Sequence, residues 1–517
     1  MNAMGHDNNG VAVGSTLWEM LVNRVALTPD NLAFADDHDR SFTWSEILSW
    51  TERTAAGFMA LGIDNTTVVS WQLPTRVETV ITSMALARLG VTQNPIIHLY
   101  RANEVGSLLR TTKARFFVVP GVWNGFDYAA MAAGIQTTNN GFAILDISAE
   151  LPTGNPANLP LAPTDGEEVR WLYSTSGTTS EPKAVRHSDS GLIAAGIGLA
   201  KKLQPTSYDV GSIPFPYAHI GGPDYFVMML HTGMPAVLLE RFIPADAFAL
   251  FRARNVTLTG GSTAHYLAAI NDQNANPERR TMPSLKHLAG GGAPMPAEIY
   301  RQSVAVLGVP IRHGYGMTEC PMICNGSVDD TDEQLANTEG APIDGCEVLV
   351  VDDNEVPLAA GIDGNILVRG AMVAKGYLDT AATAESFRAD GFFRTGDRGH
   401  LRADGHVKLT GRSKELIIRK GENISPQQIE DVLITHPSVG AVAVIGLPDP
   451  TSGERVCVVV ETAAGTQPIT FAEMTEHCRA AGLMIQKTPE QLEIVDALPR
   501  NPTLKILKRV LVERFSE

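Results

Sequence analysis

The sequence predicts an α/β fold: a large N-terminal domain with sheets flanked by helices, a β-rich subdomain, and a small α+β C-terminal domain. Three observations lead there. At 517 residues the chain exceeds what one hydrophobic core normally organises. Strand-like apolar runs alternate with helix-period segments to about residue 320, the pattern of parallel sheets. Strand-rich sequence then precedes about a hundred residues with helices and strands of their own.

The elements follow in order. Leu17–Leu27 has helical apolar spacing, and Pro29 with Asp30 ends it. Thr43 is placed to cap a helix running through Leu61. Residues 67–73 read as a strand, followed by a helix through about Leu89. Residues 91–97 and 116–119 read as buried strands. Residues 152–163, rich in proline, asparagine and alanine, read as a surface connection. A strand at 169–173 follows, then strands at 347–352 and 364–368 and a hairpin segment at 405–411. The boundary falls at Arg412 to Lys414, dividing the chain into 1–411 and 412–517. Beyond it lie a helix at 425–433, strands at 441–446 and 456–461, and a helix at 471–480.

Hydrophobic content of 44% and charged content of 19% describe a globular chain. A formal net charge of −16 argues against nucleic acid and anionic membrane surfaces as partners. An acidic protein that binds polyphosphate must gather its cations locally, as Lys183, Arg186, Arg412 and Lys505 could do. No apolar run approaches the ~18 residues of a membrane span. Residues 1–15 lack the apolar core of a signal peptide and read as a short disordered leader. The five scattered cysteines, with no zinc-type pairing, read as reduced thiols of a cytoplasmic protein.

Chemistry concentrates first at Ser174-Thr175-Ser176-Gly177-Thr178-Thr179-Ser180-Glu181-Pro182-Lys183. Six hydroxyl residues and one glycine precede the lysine by way of Glu181 and Pro182. Backbone N–H groups, hydroxyls and one cation are offered to one anion, which suits a polyphosphate at a strand end. The segment is not Gly-x-x-x-x-Gly-Lys-Ser/Thr, and Gly290-Gly291-Gly292-Ala293-Pro294 is not a dinucleotide fingerprint. Gly-x-Ser-x-Gly fails too, because Ser174 stands where its first glycine should be. Further along are His313-Gly314-Tyr315-Gly316-Met317-Thr318-Glu319, Phe393-Arg394-Thr395-Gly396-Asp397, Gly411-Arg412-Ser413-Lys414-Glu415, Lys420-Gly421-Glu422-Asn423 and Leu498-Pro499-Arg500-Asn501-Pro502-Thr503-Leu504-Lys505.

In this order the segments resemble those of the adenylate-forming enzymes: acyl-CoA synthetases, amino-acid adenylation domains and firefly luciferases. The resemblance spans residues 174 to 505. Ser180, Ala184 and Leu504 depart from it, each replacing a glycine.

The resemblance implies that Thr175, Ser176, Gly177, Thr178, Thr179 and Lys183 hold phosphates. Gly291, Gly292, Ala293, Tyr315 and Gly316 would meet the nucleotide, with Tyr315 stacked on the purine. Thr318 would donate to a phosphate oxygen, and Glu319 would ligate magnesium. Asp397 and Arg412 would hold the ribose. Lys505 would be the catalytic cation between carboxylate and α-phosphate. Lys414 would be a hinge about which a mobile C-terminal domain turns, bringing Lys420 and Gly421 to the site for the thiol step.

Pro214-Phe215-Pro216-Tyr217-Ala218-His219-Ile220-Gly221-Gly222 is similar to the segment that opens the acyl pocket of acyl-CoA synthetases. His219 would gate it. Gly222, Tyr225, Phe226, Gly290, Gly314 and Met322 would form its walls and floor.

The implied enzyme is an AMP-forming acyl-CoA ligase using ATP, Mg2+ and CoA. Its acid would be medium-chain, alicyclic, aromatic or a steroid side chain, with a place in fatty-acid and lipid metabolism. A homodimer is an assembly this reading allows. The alternatives are an adenylating enzyme that loads a separate carrier protein, since no carrier domain is expected after Glu517, and a non-catalytic nucleotide-binding relative.

Overall fold

The computed structural model describes residues 10–139, 141–175, 183–419, 422–500 and 505–516. Two sheets dominate its N-terminal part. The six-stranded sheet runs in the order Lys183–Ser188, Val169–Thr175, Thr92–Pro95, Val68–Trp71, Phe116–Val119, Ala143–Asp146. Its strands are parallel except for the edge pair Val169–Thr175 and Lys183–Ser188, which is antiparallel and places Lys183 opposite Thr175. The nine-stranded sheet has a parallel centre that includes Leu258–Gly261, His287–Gly290 and Ile311–Met317.

The alternation of strand and helix built both sheets as expected. Leu17–Leu27 is a helix whose Thr16 hydroxyl accepts from the Glu19 N–H at 3.1 Å. Trp44–Ala60 starts on a reciprocal Thr43 and Glu46 cap. The strands expected at 67–73 and 91–97 contract to Val68–Trp71 and Thr92–Pro95. Just past their ends, the Gln72 N–H donates to the Val118 carbonyl at 3.0 Å and the Ile96 N–H to the Trp71 carbonyl at 2.8 Å.

One large apolar cluster joins the two sheets. It combines Trp71 and Tyr173 of the first with Phe34, Leu238 and Leu258 of the second, and with Leu199 and Phe226 of helices Asp189–Leu203 and Gly221–Thr232. A four-stranded antiparallel sheet follows: Glu347–Val351, Gly364–Arg369, Phe393–Leu401, Val407–Arg412.

That sheet closes at Arg412, and the next one opens at Ile417. The C-terminal sheet centres on a long hairpin, Val439–Asp449 with Gly453–Thr462, longer than the strands expected there. Alternate residues of its second strand serve two cores. Val456, Val458 and Val460 pack with Ile417, Ile429 and Met474, while Cys457 and Val459 pack with Ala443 and Leu511. Among the described residues, neither core draws on anything before residue 417. All five cysteines are buried and unpaired, as the thiol reading expects. No helix of the described residues is long and apolar enough to cross a membrane.

Candidate active site

The motif residues converge on one cavity of about 1010 Å³. Lys183, Thr318, Glu319, Asp397, Arg412 and Lys505 all line it. They arrive from the antiparallel pair of Val169–Thr175 and Lys183–Ser188, the end of Ile311–Met317, the four-stranded sheet and the C-terminal segment. The parallel strands deliver their carboxyl ends here, where ligands of such sheets bind.

Asp397 is 4% exposed and sits opposite Arg412 in the ladder. Its Oδ1 accepts from Arg412 Nε at 3.0 Å, and its Oδ2 accepts from the Tyr315 hydroxyl at 2.6 Å. Each carboxylate oxygen keeps a second lone pair for a ligand hydroxyl. Glu319 Oε1 accepts from the Tyr377 hydroxyl at 2.7 Å. Lys183 Nζ lies 5.0 Å from the centre of that tyrosine ring. Burial raises the Glu319 carboxyl above its ordinary range, against the Tyr377 hydrogen bond. Burial lowers Lys505, and the nearby Arg412 charge adds to this. Both groups therefore gain from an oppositely charged ligand.

Thr318 is held through its backbone. His187 Nε2 donates to the Thr318 carbonyl at 2.7 Å. Burial brings His187 down to about 4, so the ring is neutral and one nitrogen carries the proton. Sequence reasoning missed both His187 and Tyr377. The contacts span 131 and 58 residues, and no local pattern announces them. The one available signal was the placement of His187 on the strand that follows the hydroxyl-rich segment 174–180.

Four residues expected at the site, Tyr315, Phe226, Gly222 and Ala293, lie off the cavity lining. Along Ile311–Met317, Gly314 and Gly316 line the cavity, while Tyr315 points to the opposite side. It belongs to the apolar cluster of Cys320, Ile323 and Phe393. On Gly221–Thr232, residues Gly221, Asp224 and Tyr225 line the cavity at i, i+3 and i+4 spacing. Phe226 lies beyond that face and stacks on Phe34 in the core, with ring centres 6.1 Å apart. Gly222 is not a wall residue either, since a Cβ there would stand 2.1 Å from the Tyr217 carbonyl. Ala293 also stays off the lining, its carbonyl accepting from His313 Nε2 at 2.9 Å.

Gly290, Gly291, Gly292, Gly314, His219, Tyr225 and Met322 do line the cavity. The Tyr225 hydroxyl accepts from the Ser212 N–H at 3.1 Å, and His219 Nδ1 accepts from the Gly221 N–H at 3.3 Å. Burial holds His219 down at about 4. Gly314 is required by packing as much as by cavity space: a Cβ there would stand 2.3 Å from Asn325 Oδ1.

Thr175 ends the strand Val169–Thr175. Ser176, Gly177, Thr178, Thr179 and Ser180 lie outside the described residues, as do Lys420, Gly421 and Leu504. Ala184 is buried in the ladder opposite Ser174, so its methyl group is accommodated. Lys414 lies in a one-turn 3₁₀ helix, Ser413–Glu415. On one side of it, the Ser413 hydroxyl donates to Asn365 Oδ1 of the four-stranded sheet at 3.0 Å. On the other, Glu415 is 3.7 Å from Lys508 Nζ, which also pairs with Glu430 at 2.7 Å.

Among the described residues, no group of three or more His, Cys, Asp or Glu side chains is placed to hold a metal alone. Glu319, one of the carboxylates lining the cavity, fits magnesium, which is usually bound by one or two carboxylates plus phosphate and water oxygens.

The AMP-binding enzyme family model matches residues 21–378, and the AMP-binding enzyme C-terminal domain model matches residues 428–505. The 2,3-dihydroxybenzoate-AMP ligase of Bacillus subtilis (strain 168) is 30% identical over 98% of this chain and 95% of its own. The salicyl-AMP ligase / salicyl-S-ArCP synthetase of Mycobacterium tuberculosis is 30% identical over 97% of this chain and 91% of its own. The o-succinylbenzoate CoA synthetase of Bacillus subtilis, solved with its acyl-adenylate intermediate, superposes with a TM-score of 0.83 at 25% identity. That match covers 96% of this chain and 98% of the synthetase.

Proposed function

This chain belongs to the AMP-binding enzyme family, and from that premise we propose that it joins a carboxylic acid to coenzyme A through an acyl-adenylate, releasing AMP and pyrophosphate. The observation that carries the reading is the continuity of one cavity. It has Lys183, Glu319, Asp397, Arg412 and Lys505 among its polar lining, and Leu199, Leu203, Tyr225 and Met322 among its apolar lining.

The chemistry is an encounter of two anions, so its main demand is charge neutralisation. Lys505 stands between the acid's carboxylate and the α-phosphate. Lys183 faces the outer phosphates. Asp397, set by Tyr315 and Arg412, receives the ribose hydroxyls. The Thr318 hydroxyl donates to phosphate, with its backbone held by His187. Magnesium bound at Glu319 would supply further neutralisation of phosphate charge. The acid is already ionised at neutral pH, so no residue need act as general base. Positioning supplies the rest. In the second step the thiol attacks the acyl carbon, forming the thioester and expelling AMP.

The acid is of the medium-chain, alicyclic, aromatic or steroid side-chain type, as the apolar lining supports. A second reading, delivery to a separate carrier protein, is favoured by the likeness to the salicyl-S-ArCP synthetase. The experiment supplies ATP, Mg2+, CoA and a panel of acids, and measures AMP release and thioester by mass. Thioester on free CoA is the expected result. Acyl-adenylate that accumulates with free CoA present, and is discharged only by a pantetheinylated carrier, would overturn the CoA reading.

A further inference from the structure

Lys183 and Glu319 carry opposite charges and line the same cavity. Among the described residues no ion pair joins them, and each is engaged by Tyr377. The Tyr377 hydroxyl donates to Glu319 Oε1 at 2.7 Å, and Lys183 Nζ lies over the ring, 5.0 Å from its centre. A cation on a tyrosine face and a carboxylate at its hydroxyl are both favourable contacts with a neutral group. The two charges are nonetheless near enough to act on each other. Burial raises the Glu319 carboxyl, the Tyr377 hydrogen bond lowers it, and the Lys183 charge lowers it further.

Tyr377 owes its place to neither charge. It is 5% exposed and forms a bridge with Val185 of the strand Lys183–Ser188. On the same edge, the Leu378 N–H donates to the Ala184 carbonyl at 2.9 Å. The Ala374 N–H donates to the Glu319 carbonyl at 2.8 Å. The segment 374–378 is therefore bonded both to the strand that carries Lys183 and to the backbone of Glu319. The Tyr377 N–H donates to Thr383 Oγ1 at 2.9 Å, and its ring meets Phe387 edge-on, with centres 5.7 Å apart.

We propose that Tyr377 is a positioning residue that keeps Lys183 and Glu319 from pairing with each other before ATP binds. A site of low dielectric strengthens the attraction between opposite charges. A Lys183–Glu319 pair would satisfy both groups, and the incoming nucleotide would have to break it. Tyr377 gives each charge a partner weak enough to yield, the ring face for the ammonium and the hydroxyl for the carboxylate. The cation stays available for phosphate, and Glu319 stays available for the metal that accompanies it. Such preorganisation spares the site a rearrangement when the ligand arrives. The inference rests on the adenylating reading above and deepens it.

The test measures binding of ATP to the full chain by calorimetry, with EDTA in place of Mg2+ and no acid present. Glu319→Gln removes the charge that competes with phosphate for Lys183. Its gain in ATP affinity should be ~10-fold larger in a Tyr377→Leu background than in the wild type, within the range of coupling between groups in contact. Tyr377→Phe keeps the ring for Lys183 and withdraws only the hydroxyl from Glu319. There the extra gain should be roughly 3-fold. With Lys183→Ala added, the extra gain should vanish in both backgrounds, because no cation is left to release.

A tyrosine that serves packing alone would lower ATP affinity in both variants, with the same gain from Glu319→Gln in every background. That result overturns this proposal and leaves the adenylating reading standing. An extra gain that persists without Lys183 does the same. If Tyr377→Leu does not fold, Tyr377→Phe decides, and an extra gain below about 2-fold overturns the proposal. Wild-type binding of ATP only when Mg2+ is supplied means that Lys183 is not free for phosphate, and overturns this proposal alone. No ATP binding by the wild type, with or without Mg2+, overturns the adenylating reading, and this one with it.

Discussion

The Tyr315 hydroxyl donates to Asp397 Oδ2 at 2.6 Å and so ties the nine-stranded sheet to the four-stranded one. With Arg412 on Oδ1, the carboxylate is held from both sides before any ligand arrives. Tyr315→Phe keeps the ring and removes the donor. It should cost about 1–3 kcal/mol of stability, as for a buried acceptor left short of a partner. It should also raise the KM for ATP several-fold and weaken discrimination against 2′-deoxy-ATP. Steady-state kinetics with both nucleotides checks this. Unchanged ATP kinetics would mean that the ring rather than the hydroxyl matters.

Lys505→Ala should slow adenylate formation by at least ~10²-fold, as removal of one charge-stabilising donor does. Conversion of preformed acyl-adenylate with CoA should survive. Pyrophosphate exchange and CoA capture measure the two steps separately. An equal fall in both would remove Lys505 from its place at the α-phosphate.

Gly314→Ala should lower activity on all acids alike rather than shift preference toward small ones, because its Cβ would meet Asn325 Oδ1 at 2.3 Å. Gly221→Ala is the contrasting variant. Its Cβ meets nothing nearer than 3.7 Å, so it narrows the cavity at little cost to the backbone. It should favour smaller acids by about 10-fold. The acid panel run on both variants separates strand packing from cavity volume.

Asp431 lies on helix Pro426–Leu433, and burial raises it to about 6 despite the opposing charge of Lys408. Glu430 adds to the rise. Its folded pKa lies above its unfolded value, so its contribution favours folding below about pH 4 and is lost as pH rises through about 6. Asp431→Asn should therefore stabilise the protein near neutral pH, by at most about 3 kcal/mol. Melting temperatures from pH 4 to 8 should show a weaker decline in the variant between about 4 and 6. Identical profiles would assign that decline to other groups.

Lys414→Pro restricts φ to about −65° and removes a backbone donor between the Ser413 and Glu415 anchors. If the C-terminal unit must turn here, thioester formation should slow far more than adenylation. Full CoA transfer by the proline variant would remove Lys414 from that role.

Local chemistry made some of the molecule readable. Leu17–Leu27 and Phe471–Ala480 stand where apolar period and caps put them. Lys183, Glu319, Asp397, Arg412 and Lys505 come together as their segments suggested. What stayed hidden depends on direction and distance. The Gly314-Tyr315-Gly316 alternation turns the tyrosine away from the cavity, and three positions along a helix separate Gly221 from Asp224 on the same face. The His187 to Thr318 contact is a long-range pairing that only the assembled sheets create.

The anchors on either side of Lys414 leave a pivot one residue long, with Ser413 bound to one body and Glu415 to the other. Such a tether has no slack. If the C-terminal unit turns about Lys414, it cannot drift away, and the local concentration of Lys505 at the cavity mouth would stay high throughout. Departure of one face and arrival of another would then be a single stroke of fixed radius. Its speed would be set by the contacts it breaks, the Ser425 hydroxyl on the Thr410 carbonyl among them, and not by a diffusional search.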